Sequence, residues 1–294
     1  MRHPKKPPDC CQKQLHKIQA STLTNMKSLC IPSLLRLNHR KSTGSWKINA
    51  LLGYQFSQPM IFFVAMSADE FRDAMAIGCY FGMQGILSTC DGCGEYFDLN
   101  HALNCKKGGL VTARHNEARD LNCDLCALAG LAQVTSEPIL QESMGDTKGL
   151  RADWSVRGFW EHQRVALFDI CILNADAKSL QNQSLKSIFN TRKQIKKDKY
   201  CAAAESRRAT FTPIIASCEA IFESEAEVYF KRLATILSKK WKSSYSHALC
   251  YIRARMQICI MRSVSLCIRG SRTKWRGAGI TDHAAIPLNL FACD

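Results

Sequence analysis

Four residues in one short stretch offer the ligand set of a single metal ion. Cys90, Cys93, His101 and Cys105 follow the spacing Cys-x2-Cys-x7-His-x3-Cys. Thiolate and imidazole donors select zinc over magnesium, and a Cys-x2-Cys turn lets two thiolates reach one ion. Gly92 and Gly94 relax that turn, and the histidine and last cysteine complete a tetrahedron. Four protein donors leave no open coordination position, so the expected zinc site is structural and organises residues 88–110. Chance is the competing explanation, because the chain holds 16 cysteines. A second pair, Cys123 and Cys126, falls on a predicted helix, where this spacing serves packing more often than ligation.

Three carboxylates stand out by position. A helix over about 115–130 aligns Glu117 with Leu121, Leu125 and Leu128 on one stripe. In the run 165–173, one strand face reads Val165, Leu167, Asp169, Cys171, Leu173, and the other is wholly apolar. Two apolar faces imply a central strand, and a carboxylate there is costly to bury unless it is paired or bound to metal. Asp153 precedes Asp169 by 16 residues, which suits a hairpin that sets the two side by side. Converging Glu117, Asp153 and Asp169 would hold Mg²⁺, Asp153 and Asp169 sharing the ion, and activate water for phosphodiester hydrolysis. A salt bridge or a turn cap is the alternative for each acid alone. A lysine should accompany them to stabilise charge. Phe189, Lys193, Lys196 and Tyr200 share a helix face, so Lys196 is the choice, with Lys193 and Lys197 as substitutes and a solvated lysine run as the alternative.

The elements that must position these groups are legible in outline. Ser67-Ala-Asp-Glu70 has the form of a capping box opening a helix to about Tyr80. After the zinc loop, the pattern predicts a helix (115–130), strands near 138–141, 151–157 and 165–173, a helix (184–204), a strand (211–217) and helices over 219–238 and 243–269. That order is an α/β core with a mixed sheet. Residues 1–66 form a basic arm with a predicted helix around 23–37, and residues 277–294 form a tail.

The chain has 294 residues, 46% of them hydrophobic, enough for a packed core. Its net charge of +15 favours a polyanionic partner, DNA or other nucleic acid before a membrane surface. The basic excess is segregated: residues 1–60 carry ten Lys or Arg against one acid, and 231–276 carry twelve against none. In the last predicted helix Arg255, Arg262 and Arg269 recur every seven residues, with Arg276 extending the series, and form one stripe. No acid lies within 231–276 to neutralise it, so the stripe is assigned to DNA phosphates, with a solvated basic face as the alternative. Ile252, Met256, Ile260 and Val264 run near the opposite edge and should dock the helix. The longest apolar run, Met60–Met66, is far short of the ~20 residues a spanning helix needs. No apolar stretch follows the basic N-terminus, so secretion is not expected, and the cysteines read as reduced.

Taken in order, these stretches resemble the C-terminal region of retrotransposon reverse-transcriptase polyproteins, where a Cys-Cys-His-Cys knuckle precedes a restriction-like endonuclease of the PD-(D/E)XK type. The matching stretches include GSW at 44–46, EFRDAMA at 70–76, CDGCGEYFDLNHALNCKKGGL at 90–110, RHNEARD at 114–120 and RADWSVRGFW at 151–160. FDICILNA at 168–175, KKDKY at 196–200, FTPIIAS at 211–217 and MRSVSLCIRGSR at 261–272 continue the series, which covers about 44–276. The resemblance implies a restriction-endonuclease-like αβββαβ core over 111–218, preceded by the helix and zinc knuckle (67–110) and followed by basic helices (219–276). It implies Mg²⁺-dependent nicking of target DNA, with Glu117, Asp153 and Asp169 as metal acids and Lys196 as the lysine. It further implies nuclear work beside element RNA or a polymerase supplied by another chain. Ala152 stands where the family has proline, Cys171 stands where a strand lysine is expected, and no YxDD-like polymerase motif is present. The competing readings are a non-catalytic zinc-knuckle nucleic-acid-binding protein and a non-functional mobile-element remnant.

Overall fold

A computed structural model describes residues 66–79, 83, 85–143, 149–180 and 182–273. The N-terminal arm with its predicted helix and GSW motif, Arg276 and the tail lie outside the described residues.

The capping box forms as written. The Ser67 N–H donates to Glu70 Oε2 (2.6 Å) and the Glu70 N–H to Ser67 Oγ (3.2 Å), opening helix α1 (Ala68–Cys79). A short helix α2 (Leu99–Asn104) follows the zinc loop. Helix α3 (Leu110–Leu128) begins five residues before the predicted start. Gly108 and Gly109, at φ 74° and 76°, let the chain turn directly into it from a 3₁₀ turn over Lys107–Gly109.

The sheet strands are β1 (Thr135–Ser136), β4 (Trp154–Arg157), β5 (Val165–Leu173) and β6 (Thr210–Ser217), in the order β1-β4-β5-β6. The β4–β5 and β1–β4 pairs are antiparallel, while β5 and β6 are parallel, joined by helix α4 (Leu185–Ser206). The fold is therefore α/β with a mixed sheet, and β5 is central, as its two apolar faces require. The strand expected over 151–157 divides in two. Leu150–Arg151 (β3) pairs with Ile139–Gln141 (β2) in a separate ribbon, and only Trp154–Arg157 joins the sheet. The break falls at Ala152 and Asp153, where the chain changes sheets.

Alternation along β5 divides the core. Ala166, Phe168 and Ile170 face a core shared with α3 and two C-terminal helices, α5 (Ser224–Trp241) and α6 (Tyr245–Arg269). Here Trp154 stacks on Phe168 at 5.1 Å and Phe159 on Tyr229 at 4.9 Å. Leu167 packs on the opposite face with Tyr200, Ala203 and Ala204 of α4, and Leu173 with Ile188 and Phe189 of the same helix. Asp169 and Cys171 share that second face by alternation. Ile252, Met256, Ile260 and Val264 of α6 are fully buried, as their spacing predicts.

Helix α5 starts at Ser224 rather than at 219, because Phe222 still bridges Ala216 of β6. Its N-cap is Glu223, whose carboxylate accepts from the Glu225 N–H (2.6 Å) and from Lys193 Nζ of α4 (2.7 Å). Burial opposes ionisation of Glu223, but the bonds from Lys193, Ser224 and the Glu225 N–H outweigh it and lower its pKa. A lowered carboxylate pKa contributes stability above the unfolded value, and that contribution is lost as pH falls through the folded one. Glu223→Gln should therefore cost about 1 kcal/mol at pH 7. The gap from wild type should close below the ordinary Glu pKa of about 4.3. Urea denaturation at neutral and acid pH checks this, and a gap that does not narrow in acid would contradict it.

Candidate functional site

The Cys90–Cys105 loop is shaped by its own backbone. Thr89 bridges Tyr96, the Cys90 N–H donates to the Glu95 carbonyl (2.8 Å), and the Gly94 N–H to the Cys90 carbonyl (2.9 Å). This tight hairpin presents Cys90 and Cys93 together. Asp98 caps α2 by accepting the His101 N–H (2.6 Å), and the Cys105 N–H closes the helix on the His101 carbonyl (2.8 Å). One short helix thus carries the other two donors to the same point. Cys93 Sγ lies 3.3 Å from His101 Nε2, and Cys105 Sγ lies 3.9 Å from both Cys90 Sγ and Cys93 Sγ. All four donor atoms fall within 4.8 Å of one another, and no other group of three or more His, Cys, Asp or Glu does so among the described residues. Burial resists ionisation of Cys90, but the N–H groups of Gly92 and Cys93 and the side chains of His101 and Cys93 bring its pKa down to about 6. This donor set could bind a metal such as zinc.

The two glycines of the turn have different reasons. Gly94 adopts φ 78°, a left-handed conformation. Gly92 does not, but a Cβ there would come within 2.8 Å of Arg272 Cβ. Arg272 itself is 1% exposed. It donates to the carbonyls of Ala102 (3.1 Å) and Cys267 (2.7 Å), stands 4.8 Å over the Phe97 ring, and its N–H meets Asp91 Oδ2 (2.8 Å). It ties the zinc loop to the end of α6.

Asp153, Asp169 and Lys196 meet at the break between β3 and β4. The β4–β5 register runs from Trp154 opposite Phe168, and one step further sets Asp153 against Asp169. The Asp153 N–H still donates to the Phe168 carbonyl (2.9 Å). Beyond this point β5 has no strand on that edge among the described residues, and side chains meet its backbone groups. Asp153 Oδ2 accepts the Ile170 N–H at 2.6 Å, and Arg114 of α3 reaches the Ile172 carbonyl at 3.5 Å. Ala152 donates its N–H to the Pro138 carbonyl (3.2 Å), a bond that a proline at this position lacks.

Asp169 is buried and lies 2.5 Å from Lys196 Nζ, although its Oδ2 has no donor aligned for a hydrogen bond. Burial first, and then the charge of Asp153, raise the Asp169 pKa against the pull of Lys196 and Tyr200. Lys196 is held charged: burial disfavours the ammonium, but Asp169 more than offsets it. Lys196 pairs with Asp169, while Asp153 is met by the Ile170 N–H and by His115. The substitutes have other partners: Lys193 pairs with Glu223 (2.7 Å) and Lys197 with Glu225 (2.6 Å). Cys171, also on this face, is pushed towards its neutral thiol by burial. His115 on α3 was not marked by periodicity, yet its Nε2 lies 3.1 Å from Asp153 Oδ1.

Glu117 does not join this group. Leu121 and Leu125 of its stripe are buried, but Leu128 is 37% exposed and Glu117 itself is at the surface, so the stripe rolls out of the core at both ends. Crowding by neighbouring atoms raises the Glu117 pKa, Arg262 lowers it, and Glu70 and Asp120 raise it further. Its electrostatic neighbours are thus the α1–α6 surface and its own helix. His115, two residues earlier and ~200° around the helix, points to Asp153 instead.

The arginine stripe has partners that the local sequence does not contain. Arg262 Nε meets Glu70 Oε1 (3.2 Å), and Arg269 grips Asp73 through Nε (2.7 Å) and Nη2 (2.6 Å). Arg255 donates to the Tyr251 hydroxyl (3.0 Å) and lies against its ring. Two of the three arginines therefore anchor α1, and the premise of an unneutralised stripe fails because its acids arrive from about 190 residues away. Cys126 bonds the Tyr229 hydroxyl at 3.2 Å, which makes it a packing residue.

No model of a known protein family matches this chain, and no curated protein matches it.

Purified protein should hold one zinc per chain at Cys90, Cys93, His101 and Cys105. Structural zinc is worth roughly 10 kcal/mol in small peptides, so chelation should melt residues 88–110. Metal analysis showing less than half an equivalent would refute the site. For the stripe, Arg269→Ala strands the buried Asp73 carboxylate and should cost about 3 kcal/mol. Arg255→Ala should cost under ~1 kcal/mol. Urea midpoints compare the two, and equal costs would mean that α1 is not anchored by Arg269.

Proposed function

We propose that this chain is an endonuclease-like domain of mobile-element origin that nicks DNA by magnesium-dependent phosphodiester hydrolysis. The observation that supports it best is the meeting of Asp153, Asp169 and Lys196, delivered by two adjacent strands and the following helix to one end of the sheet. The succession of α3, the strands up to β5, α4 and β6 is compatible with the αβββαβ core expected from the resemblance.

The donor set fits a hard cation. Both candidates are carboxylates, the oxygen donors that a hard cation takes, and Asp169 Oδ2 is paired with Lys196 Nζ at 2.5 Å. Asp153 and Asp169 would hold Mg²⁺, which when bound supplies positive charge to activate water and stabilise the phosphate. The chain's own residues do the rest. Lys196 Nζ pairs with the buried Asp169 carboxylate and stands ready to contact a phosphate oxygen. Cys171, neutral on the same face, supplies no charge and leaves that task to the helix lysine. The Ile170 N–H fixes one oxygen of Asp153, so the carboxylate is oriented before substrate arrives. The knuckle and the basic surfaces bind nucleic acid without reading bases. Such work would take place in the nucleus, with element RNA or a polymerase on another chain as further partners. No helix among the described residues is long and apolar enough to cross a membrane.

A second reading, a non-catalytic zinc-knuckle nucleic-acid-binding protein, is favoured by one fact: the knuckle is a complete four-donor set, whereas the acid pair is not joined by Glu117. A remnant without activity is the third.

A plasmid-nicking assay with Mg²⁺ or Mn²⁺ separates them. Wild type should nick, Asp169→Ala should not, and Lys196→Ala should lose about 10²–10³-fold. Lys197→Ala should stay near wild type because Lys197 serves Glu225. Equal nicking by wild type and Asp169→Ala would leave only the binding reading.

A further inference from the structure

The acid pair is contacted by side chains from two different helices, Lys196 of α4 and His115 of α3, and only Lys196 has a role in the proposed chemistry. We infer that His115 is the positioning residue for Asp153 and sets the affinity of the acid pair for a divalent cation. This inference rests on the endonuclease reading.

Asp153 has two oxygens with separate duties. Oδ2 accepts the Ile170 N–H at 2.6 Å, which fixes that oxygen against the β5 backbone. Oδ1 is then the oxygen free to turn towards a metal, and His115 Nε2 stands 3.1 Å from it. A side chain at the start of a strand can rotate about χ1 and χ2 unless both oxygens are engaged, so a second contact selects one rotamer. The cationic side chains near Asp153 are engaged elsewhere: Arg119, one turn further along α3, is engaged by Asp120 (2.8 Å) and Glu137. Lys196 lies on Asp169. His115 is thus the group in contact with Oδ1, with Nε2 as donor and the carboxylate as acceptor.

Its placement is built into the fold. Arg114, the preceding residue, is buried and reaches the Leu103 carbonyl (3.4 Å), the Ile172 carbonyl (3.5 Å) and Cys218 Sγ (3.3 Å). Ala118 and Leu121 bury the following turn in the main core. Between these fixed points the His115 backbone cannot drift, and its ring is held over the uncovered edge of β5. Partners that orient a ligating carboxylate or imidazole typically contribute 10–100-fold to metal affinity.

The test is Mn²⁺ binding to the zinc-loaded full chain, followed by calorimetry and independent of nicking. Wild type should show a site that Asp169→Ala abolishes. His115→Leu should weaken it by about 10–100-fold with zinc content and melting temperature unchanged. His115→Gln, whose amide nitrogen occupies the place of Nε2, should recover wild-type affinity to within a few-fold. Binding by His115→Leu as tight as wild type overturns the inference, as does His115→Gln binding no better than His115→Leu, since ring bulk and not the donor would then matter. Wild type indistinguishable from Asp169→Ala removes the cation site itself, and the endonuclease reading falls with this inference.

Discussion

The constraint on which the rest depends is a carboxylate on the central strand. Asp169 is buried on β5, and an isolated ion there would cost several kcal/mol. Everything around it answers that cost. Lys196 arrives from α4 because α4 packs on the face of β5 that Asp169 shares with Leu167 and Leu173. Strand β4 stops short of Asp169, and the chain changes sheets at Ala152 and Asp153. The backbone left open by that stop is taken up by the Asp153 carboxylate and by Arg114. A continuous strand over 151–157 would have covered this edge, whose Ile170 N–H and Ile172 carbonyl are instead met by the Asp153 carboxylate and Arg114.

The same logic extends to the loop that carries the Cys3His cluster. It has little core of its own: Phe97, Leu103 and the buried cysteines pack against residues of α6, including Ile260, Val264 and Cys267. Arg272 closes the junction by binding carbonyls of both parts, and Gly92 and Gly108 leave it space, since a Cβ on either would strike it. Arg114 bonds the Leu103 carbonyl on one side and the Ile172 carbonyl on the other, so the loop and the strand that carries Asp169 share a buried side chain. Helix α1 is fastened over α6 by Glu70 and Asp73. Charge that looked free for a partner is therefore partly internal structure.

Local signals survived folding well. Strand β5 begins and ends where its residues say, because a nine-residue run with both faces apolar has one stable environment, the middle of a sheet. The Ser67–Glu70 box and the α6 docking stripe held for the same reason, as each depends on residues three or four apart. The Cys3His cluster was legible because its four donors lie within 16 residues and its spacing suffices to bring them together.

What the sequence determined by itself was the order of the longer elements, the central strand, the Cys3His cluster and the choice of Asp153, Asp169 and Lys196 as neighbours. What only the tertiary structure decided were the contacts made across long separations. His115 reaches Asp153 over 38 residues, and Arg269 reaches Asp73 over 196. Neither pairing leaves a period or a motif in the chain. Glu117 looked inward because a helical stripe assumes a core that continues along its whole length, and this one ends with Leu121 and Leu125. The arginines looked unpaired because local sequence counts only nearby charge, whereas a folded surface brings in acids from any distance along the chain.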